Sequence, residues 1–537
     1  MAKIAKVTVH PSFEIGEISP RLFGAFLEPI GTMVNGTMYN PKHPTADEQG
    51  FRKDVIKALS EAGMPAIRLP GGNFVSCWDW KDSIGPKEQR KKHLDLAWFQ
   101  YYTNEVGHDE YLQWAEKVGF EPMYTINLGS GDINDAMKII EYTNHEGGTY
   151  WSDLRKEYGH EKPYGVKVWY LGNEMDGPWQ LASWEKDPRG YGILAHEVSK
   201  AMKFTDGSIE TVACVSSSPF QAHYPQWDLE VLQECYETVD YISLHHYHAG
   251  KGDDIASLLA GSEMFEDYIR TEIALCDFVK TKLRSTKTMM LSFDEWGSNG
   301  EPLRELHYGR NGNVLVDEHY RINPDQKHPT VDPDAYKGFG MRRPGGPGEM
   351  VSALASASVM LTLMRHADRI KIGCMTGGIW SLARADRDRV WKPIAYYPYE
   401  ELILNAKGTS LLPEIESDTY DVPGYATCDA HAYDTHTGIK FIESAAALNK
   451  ETGDLNVYVI NRDWEDDSEL TLDAEAFKGY KFVEHVEMYS DDPEISDTFE
   501  NPDALLPQVN TETKAEGGLV SATLHKLSWN IFRFRKA

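Results

Sequence analysis

The feature that most constrains this chain is a rhythm. From about Ser19 to about Gly378, short runs rich in β-branched and aromatic residues alternate with segments of helical period, the pattern of βα units around a parallel sheet. The runs fall at 22–27, 66–69, 122–127, 166–171, 211–216, 241–245, 288–293 and 370–375. Eight of them predict a closed (β/α)8 barrel. Between them Phe51, Val55, Ile56 and Leu59 recur at helical spacing before Gly63, and Tyr111, Trp114, Ala115 and Val118 do so before Gly119. Both segments read as outer barrel helices.

At 537 residues the chain exceeds what one hydrophobic core usually organises. Near Trp391 the rhythm changes to strands without helices, at 438–447, 455–461, 481–489 and 524–534, which predicts a C-terminal β-sandwich. The extended run 5–15 is placed to add a strand to that second unit. The expected division is therefore 1–17 with the sandwich, 18–385 as the barrel and 386–537 as the sandwich proper. Residues 297–348 follow the seventh strand, are rich in Gly, Pro, Asn and Arg, and lack helical period. Loops after barrel strands lie on the C-terminal face, so this one is expected over the site.

Acidic side chains outnumber Lys and Arg by 83 to 54, for a formal charge of -29, a field that repels phosphate backbones and anionic lipid. Nucleic acid and membrane partners are not expected. The longest apolar stretch, 352–364, is shorter than the roughly 20 residues of a membrane span and reads as a buried helix. The first ten residues lack a secretory pattern, and six scattered cysteines form no CxxC pair, which together predict a cytoplasmic protein with reduced thiols. Neither a zinc spacing nor a GxGxxG or Walker sequence occurs, so no metal or nucleotide cofactor is expected.

Barrel enzymes carry their catalytic groups at the C-terminal ends of strands. Strand four runs out in Leu171-Gly172-Asn173-Glu174 and strand seven in Phe293-Asp294-Glu295-Trp296. Two glutamates at opposite strand mouths are what glycoside cleavage needs, one to protonate the leaving oxygen and one to attack or to activate water. Arg68, ending strand two, is a cation able to keep the attacking carboxylate ionised, and Asn73 is able to bind a sugar hydroxyl. Asn173, beside the acid, suits the 2-hydroxyl. Glu28 ends strand one and is open to either a functional or an ion-pair role. Two other classes stay open. His245-His246-Tyr247-His248 would suit a metal-dependent barrel hydrolase, with residues 246 and 248 on one side, and a non-catalytic carbohydrate-binding protein is the third reading.

These motifs resemble those of the α-L-arabinofuranosidases of glycoside hydrolase family 51. The resemblance runs through Phe23-Gly24-Ala25-Phe26-Leu27-Glu28, Arg68-Leu69-Pro70-Gly71-Gly72-Asn73-Phe74, Leu94-Asp95-Leu96-Ala97-Trp98, Asn173-Glu174-Met175-Asp176-Gly177-Pro178-Trp179-Gln180 and Ser292-Phe293-Asp294-Glu295-Trp296. It implies Glu174 as general acid/base, Glu295 as nucleophile, retention of configuration, and exo-action on arabino-oligosaccharides, with a galactofuranoside or β-xyloside as the alternative substrate. It also implies that Glu28, Asn73 and Asn173 hold furanose hydroxyls, that Tyr247 hydrogen-bonds the nucleophile, that Trp98 lines the sugar pocket, and that the subunits form oligomers, often hexamers. Two departures stand out. Gly377 occupies the place of a strand-eight Gln that contacts the sugar, and Gly297-Ser298-Asn299-Gly300 replaces a continuation through Val and Trp.

Overall fold

The computed structural model describes residues 3–537 apart from 32, 99, 299–348, 378–383, 386–387, 429–430 and 493–494. The loop expected over the site therefore lies, from residue 299 onward, outside the described residues.

Eight parallel strands close into a barrel: β1 (Gly24–Phe26), β2 (Ala66–Arg68), β3 (Glu121–Ile126), β4 (Val168–Leu171), β5 (Glu210–Cys214), β6 (Tyr241–His248), β7 (Met290–Ser298) and β8 (Ile370–Thr376). Each pairs with its chain neighbour, and β8 returns to β1 through Cys374 opposite Gly24. Closure leaves the barrel without an exposed edge. The helices Lys53–Glu61 and His108–Val118 turn Val55, Leu59, Tyr111, Trp114 and Ala115 onto the barrel, and Gly119 ends the second at a φ of 92°, a left-handed cap that glycine adopts without strain.

At the N-terminal ends of the strands Arg21 grips Glu121 of β3 with two 2.7 Å bonds and also reaches Glu210 of β5. This fork fastens the barrel floor, far from the strand ends that carry the site.

The second unit is a sandwich of two sheets. One has the order Glu414–Glu416, Lys3–Thr8, Ser468–Asp473, Leu519–Leu524, Lys514–Glu516. The other has the order Glu14–Glu17, Thr409–Leu411, Ile442–Asn449, Asp454–Asn461, Ser528–Lys536, Tyr480–Met488, Gln508–Val509. The extended run at the chain start thus supplies two strands, one to each sheet. The run expected over 524–534 is likewise broken, because Leu527 sits at a φ of 49° and turns the chain from one sheet into the other.

The strand Asp454–Asn461 shows why the two units cohere. Leu455, Val457 and Val459 point into the sandwich core, while Tyr458 and Ile460 join the apolar cluster that also holds the barrel helices. This strand is covered on both faces, so its middle, Val457 to Ile460, is an unbroken apolar run. The helix Glu349–Arg365 lies in this junction, and nearly every side chain on it is buried. That accounts for the mostly apolar stretch read at 352–364. Among the described residues no helix is long and apolar enough to cross a membrane.

We draw the boundary between the units after Asn405 rather than at residue 385. The helix Tyr396–Asn405 follows β8, and its Tyr399 hydroxyl donates to the Gly24 carbonyl of β1, the place of an eighth outer helix.

Candidate active site

Local backbone geometry decides which side chains enter the barrel mouth. On β7 two residues, Phe293 and Asp294, separate Ser292 from Glu295, whereas on β6 only Leu244 separates Ser243 from His245. The same extra residue appears against β8. This bulge re-aims the strand, so that the consecutive Asp294 and Glu295 both face inward instead of alternating. Glu174 stands three residues beyond the end of β4 with a φ of 44°, a left-handed conformation uncommon for a side-chain-bearing residue and typical of functional sites.

One oxygen of Glu174, one of Glu295 and a ring nitrogen of His245 lie within 4.8 Å of one another. The glutamates are 8% and 7% exposed, buried enough to feel each other and open enough to be reached. Around them the contacts are dense. Arg68, fully buried, directs Nη1 to Glu295 at 3.1 Å, Nη2 to Asn173 at 2.6 Å and Nε to Asp294 at 3.2 Å. Tyr247 donates its hydroxyl to Glu295 at 2.6 Å. His245 Nδ1 meets Glu174 at 3.0 Å and Glu295 at 3.5 Å, and its Nε2 meets Asp294 at 3.2 Å. Trp179 donates its indole N–H to Glu174 at 2.7 Å.

The remaining expected residues join the same pocket. Asn173 donates to Asn73 at 3.0 Å, and Gln180 bonds both Asn73 and the Asn173 carbonyl. Glu28 accepts from the Phe74 N–H at 3.0 Å and from the Trp98 indole at 2.6 Å. Its carboxyl lies against the backbone at Gly72, where a Cβ would fall 2.0 Å from Glu28 Cδ and where φ is 76°. Only glycine fits. Of the eight residues singled out from the sequence, Arg68, Asn73, Asn173, Glu174, Tyr247 and Glu295 are connected through these contacts and His245, while Glu28 and Trp98 bond each other against Gly72 and Phe74, the chain neighbours of Asn73.

Electrostatics follow from burial and crowding. Burial and the neighbouring Glu295 hold the Glu28 carboxyl well above the usual carboxylate range. Glu295 is raised by burial and by Glu174, against the pull of His245, Arg68 and Tyr247. Burial works against charge on His245, yet Glu295, Asp294 and Glu174 outweigh it and push the imidazole up to about 10. The carboxyl groups of Glu295, Asp294 and Glu174 around it thus favour the imidazolium form of His245.

The comparisons agree with this geometry. Residues 58–269 match the model of the alpha-L-arabinofuranosidase 1 domain, and residues 326–528 match that of the alpha-L-arabinofuranosidase C-terminal domain. An intracellular exo-alpha-(1->5)-L-arabinofuranosidase of Halalkalibacterium halodurans is 37% identical over 100% of both chains. One of Bacillus subtilis so named is 36% identical over 99% of each. The chain belongs to glycoside hydrolase family 51. A solved family 51 alpha-L-arabinofuranosidase of Bifidobacterium longum superposes on this family 51 arabinofuranosidase with a TM-score of 0.84, at 30% identity over 100% of both chains. The alpha-L-arabinofuranosidase of Thermotoga maritima, solved as an arabinose complex, gives 0.81 at 27% identity over 98% and 99%.

Sequence reasoning passed over several groups in this enzyme's pocket. His245 stands in the sequence only as part of a histidine cluster, and Asp294, Trp179 and Gln180 stand within the shared motifs with no role assigned, as Thr376 has none. Asp294 continues the inward alternation of Ser292, whose hydroxyl bonds Tyr170 inside the barrel, and it is Glu295 that the bulge brings round to join it. The cluster itself does not assemble as the metal reading requires. His246 packs its ring on Phe265 at 4.8 Å, while His248 bonds the Ser257 carbonyl at 3.0 Å. Among the described residues the donor group able to hold a cation is instead Glu174, His245 and Glu295.

Proposed function

We propose that this enzyme releases terminal non-reducing α-L-arabinofuranosyl residues from arabino-oligosaccharides by double displacement. Glu174 gives its proton to the glycosidic oxygen as Glu295 attacks the anomeric carbon. The C–O bond to the leaving group breaks while an ester to Glu295 forms. Glu174, now a carboxylate, then takes a proton from water, whose oxygen displaces Glu295 and restores the original configuration. Arg68, His245 and Tyr247 favour the charge that Glu295 needs in order to attack, against burial and Glu174. Asn173 and Asn73 receive furanose hydroxyls, with Glu28 and Trp98 closing the sugar pocket.

The observation that carries this reading is the 4.8 Å bound on the distance between the two carboxylates. Retaining enzymes hold theirs about 5–5.5 Å apart, whereas inverting ones leave roughly 6.5–9.5 Å for a water. The names of the curated relatives favour α-(1→5) linkages and an intracellular setting, and both are part of this proposal. So is an oligomer, for which a hexamer is the expectation, checked by light scattering on the eluting protein.

Time-resolved NMR of the first-formed sugar tests the chemistry, with aryl α-L-arabinofuranoside, galactofuranoside and β-xyloside run side by side. The arabinofuranoside is expected to be cleaved fastest, with the α-anomer appearing first. Initial release of the β-anomer would refute double displacement, and preference for another glycoside would refute the substrate.

A further inference from the structure

The Tyr247 hydroxyl lies between two oxygens, Glu295 Oε1 at 2.6 Å and Thr376 Oγ1 at 2.7 Å. A phenol has one proton to give. Burial and the adjacent Glu295 push the Tyr247 phenol well above its ordinary range, so it keeps that proton. An ionised Glu295 can only accept, so the proton lies in the Tyr247–Glu295 bond. Toward Thr376, then, Tyr247 is an acceptor, and the Thr376 hydroxyl donates.

The chain of two bonds spans the strands around the attacking carboxylate. Tyr247 is on β6, Thr376 ends β8, and β7 runs between them. Gly297 on β7 pairs in register with Tyr247, and a Cβ built there would lie 3.3 Å from Tyr247 Cδ1. The bare glycine leaves the ring its place against β7. Thr376 is itself anchored, being paired with Phe26 of β1 and followed by a Gly377 N–H that donates to the Phe26 carbonyl at 3.2 Å.

We propose that Thr376 is a positioning residue for Glu295: by donating to Tyr247 it fixes the phenol and strengthens the phenol's hydrogen bond to the carboxylate. Hydrogen bonds in series polarise one another, so a donor to Tyr247 makes Tyr247 a better donor. The benefit falls on both steps, since Glu295 must be a carboxylate to attack and a good leaving group when its ester is hydrolysed. Thr376 touches no reacting atom. This inference rests on the reading of Glu295 as nucleophile.

The charged and titratable groups facing Glu295 are Arg68 from β2, Glu174 beyond β4, His245 and Tyr247 from β6, Glu28 beyond β1 and Asp294 on its own strand. Arg68, His245 and Tyr247 favour its charge. Weakening the Tyr247 bond raises its pKa, and the acid limb of kcat/KM follows to higher pH.

The test compares Thr376→Val, which keeps the branched shape but loses the donor, with Thr376→Ser, which keeps the donor, each in the parent and in Tyr247→Phe. Activity against pH is read on an aryl α-L-arabinofuranoside. Thr376→Val is expected to lower kcat/KM about 3- to 10-fold, as loss of one hydrogen bond does, and to move the acid limb up by about half a pH unit. Thr376→Ser should stay near the parent, and Thr376→Val should add nothing once Tyr247 is Phe. A Thr376→Val profile that overlays the parent, or an equal loss in both backgrounds, overturns the inference. If Thr376→Val does not fold, Thr376→Ala supplies the same comparison. Glu295→Ala is run in parallel: turnover there refutes the nucleophile itself, whereas an inactive Glu295→Ala with a neutral Thr376→Val refutes only the role of Thr376.

Discussion

Gly72→Ala is a one-carbon change with a large expected effect. The new Cβ would lie 2.0 Å from Glu28 Cδ and 2.2 and 2.4 Å from its two oxygens. Contact between such atoms is comfortable at about 3.5 Å, so the carboxyl has to move by roughly 1.5 Å. A shift of that size breaks both of its bonds, to the Phe74 N–H at 3.0 Å and to the Trp98 indole at 2.6 Å. With the Glu28 carboxyl held well above the usual carboxylate range, each bond contributes about 0.5–1.5 kcal/mol, together about 1–3 kcal/mol of organisation at the sugar pocket. At about 1.4 kcal/mol per decade, kcat/KM on an aryl α-L-arabinofuranoside should fall roughly 5- to 100-fold. The positive φ adds a folding cost of about 1–2 kcal/mol, visible as a modest drop in Tm. Steady-state kinetics and a thermal melt on the same preparation separate the two effects. A folded Gly72→Ala enzyme within threefold of the parent would refute the placement of Glu28 against this turn.

Four further outcomes are expected. Glu174→Ala should spare aryl substrates with good leaving groups while losing about 10²–10⁴-fold on arabino-oligosaccharides, because only the latter need the proton; an equal loss on both would contradict its role. Removing the imidazolium with His245→Gln should move the acid limb of kcat/KM to higher pH, since His245 is a cation that favours charge on Glu295. The same histidine ties stability to pH: its folded value is raised from 6.5 to about 10, so its contribution is full below pH 6.5 and is lost as pH rises through 10, a trend that melts of His245→Gln should lack. Arg21→Ala should lower Tm by loosening β3 from β5 yet leave kcat/KM within twofold, because its partners Glu121 and Glu210 sit at the opposite end of the barrel from the site.

The sequence made the barrel legible because each buried strand needs a short apolar run and each outer helix one apolar face. It was least informative where strands carry the chemistry. β6 extends to His248 and β7 to Ser298, beyond the apolar runs that ended at 245 and 293, because His246 pairs with Trp296 and Tyr247 with Gly297 in a ladder that does not depend on side-chain polarity. Glu174 and Glu295 could be read from their strand-end positions, and Arg68 from the apolar run it closes. The roles of Asp294 and His245 could not, since both simply continue the inward alternation of Ser292 and Ser243 and only the closed barrel shows which side chains they meet. Thr376 was likewise invisible, because only the fold brings it to Tyr247, 129 positions away in the chain.

The sharpest test of the account is to look for the covalent intermediate. Glu174→Ala, mixed with an arabinofuranoside bearing a good leaving group, should form its ester quickly and hydrolyse it slowly, so that peptide mass spectrometry finds one pentosyl unit on Glu295. A pentosyl group on any other residue, or steady turnover with an unlabelled protein and an inverted sugar, would contradict it.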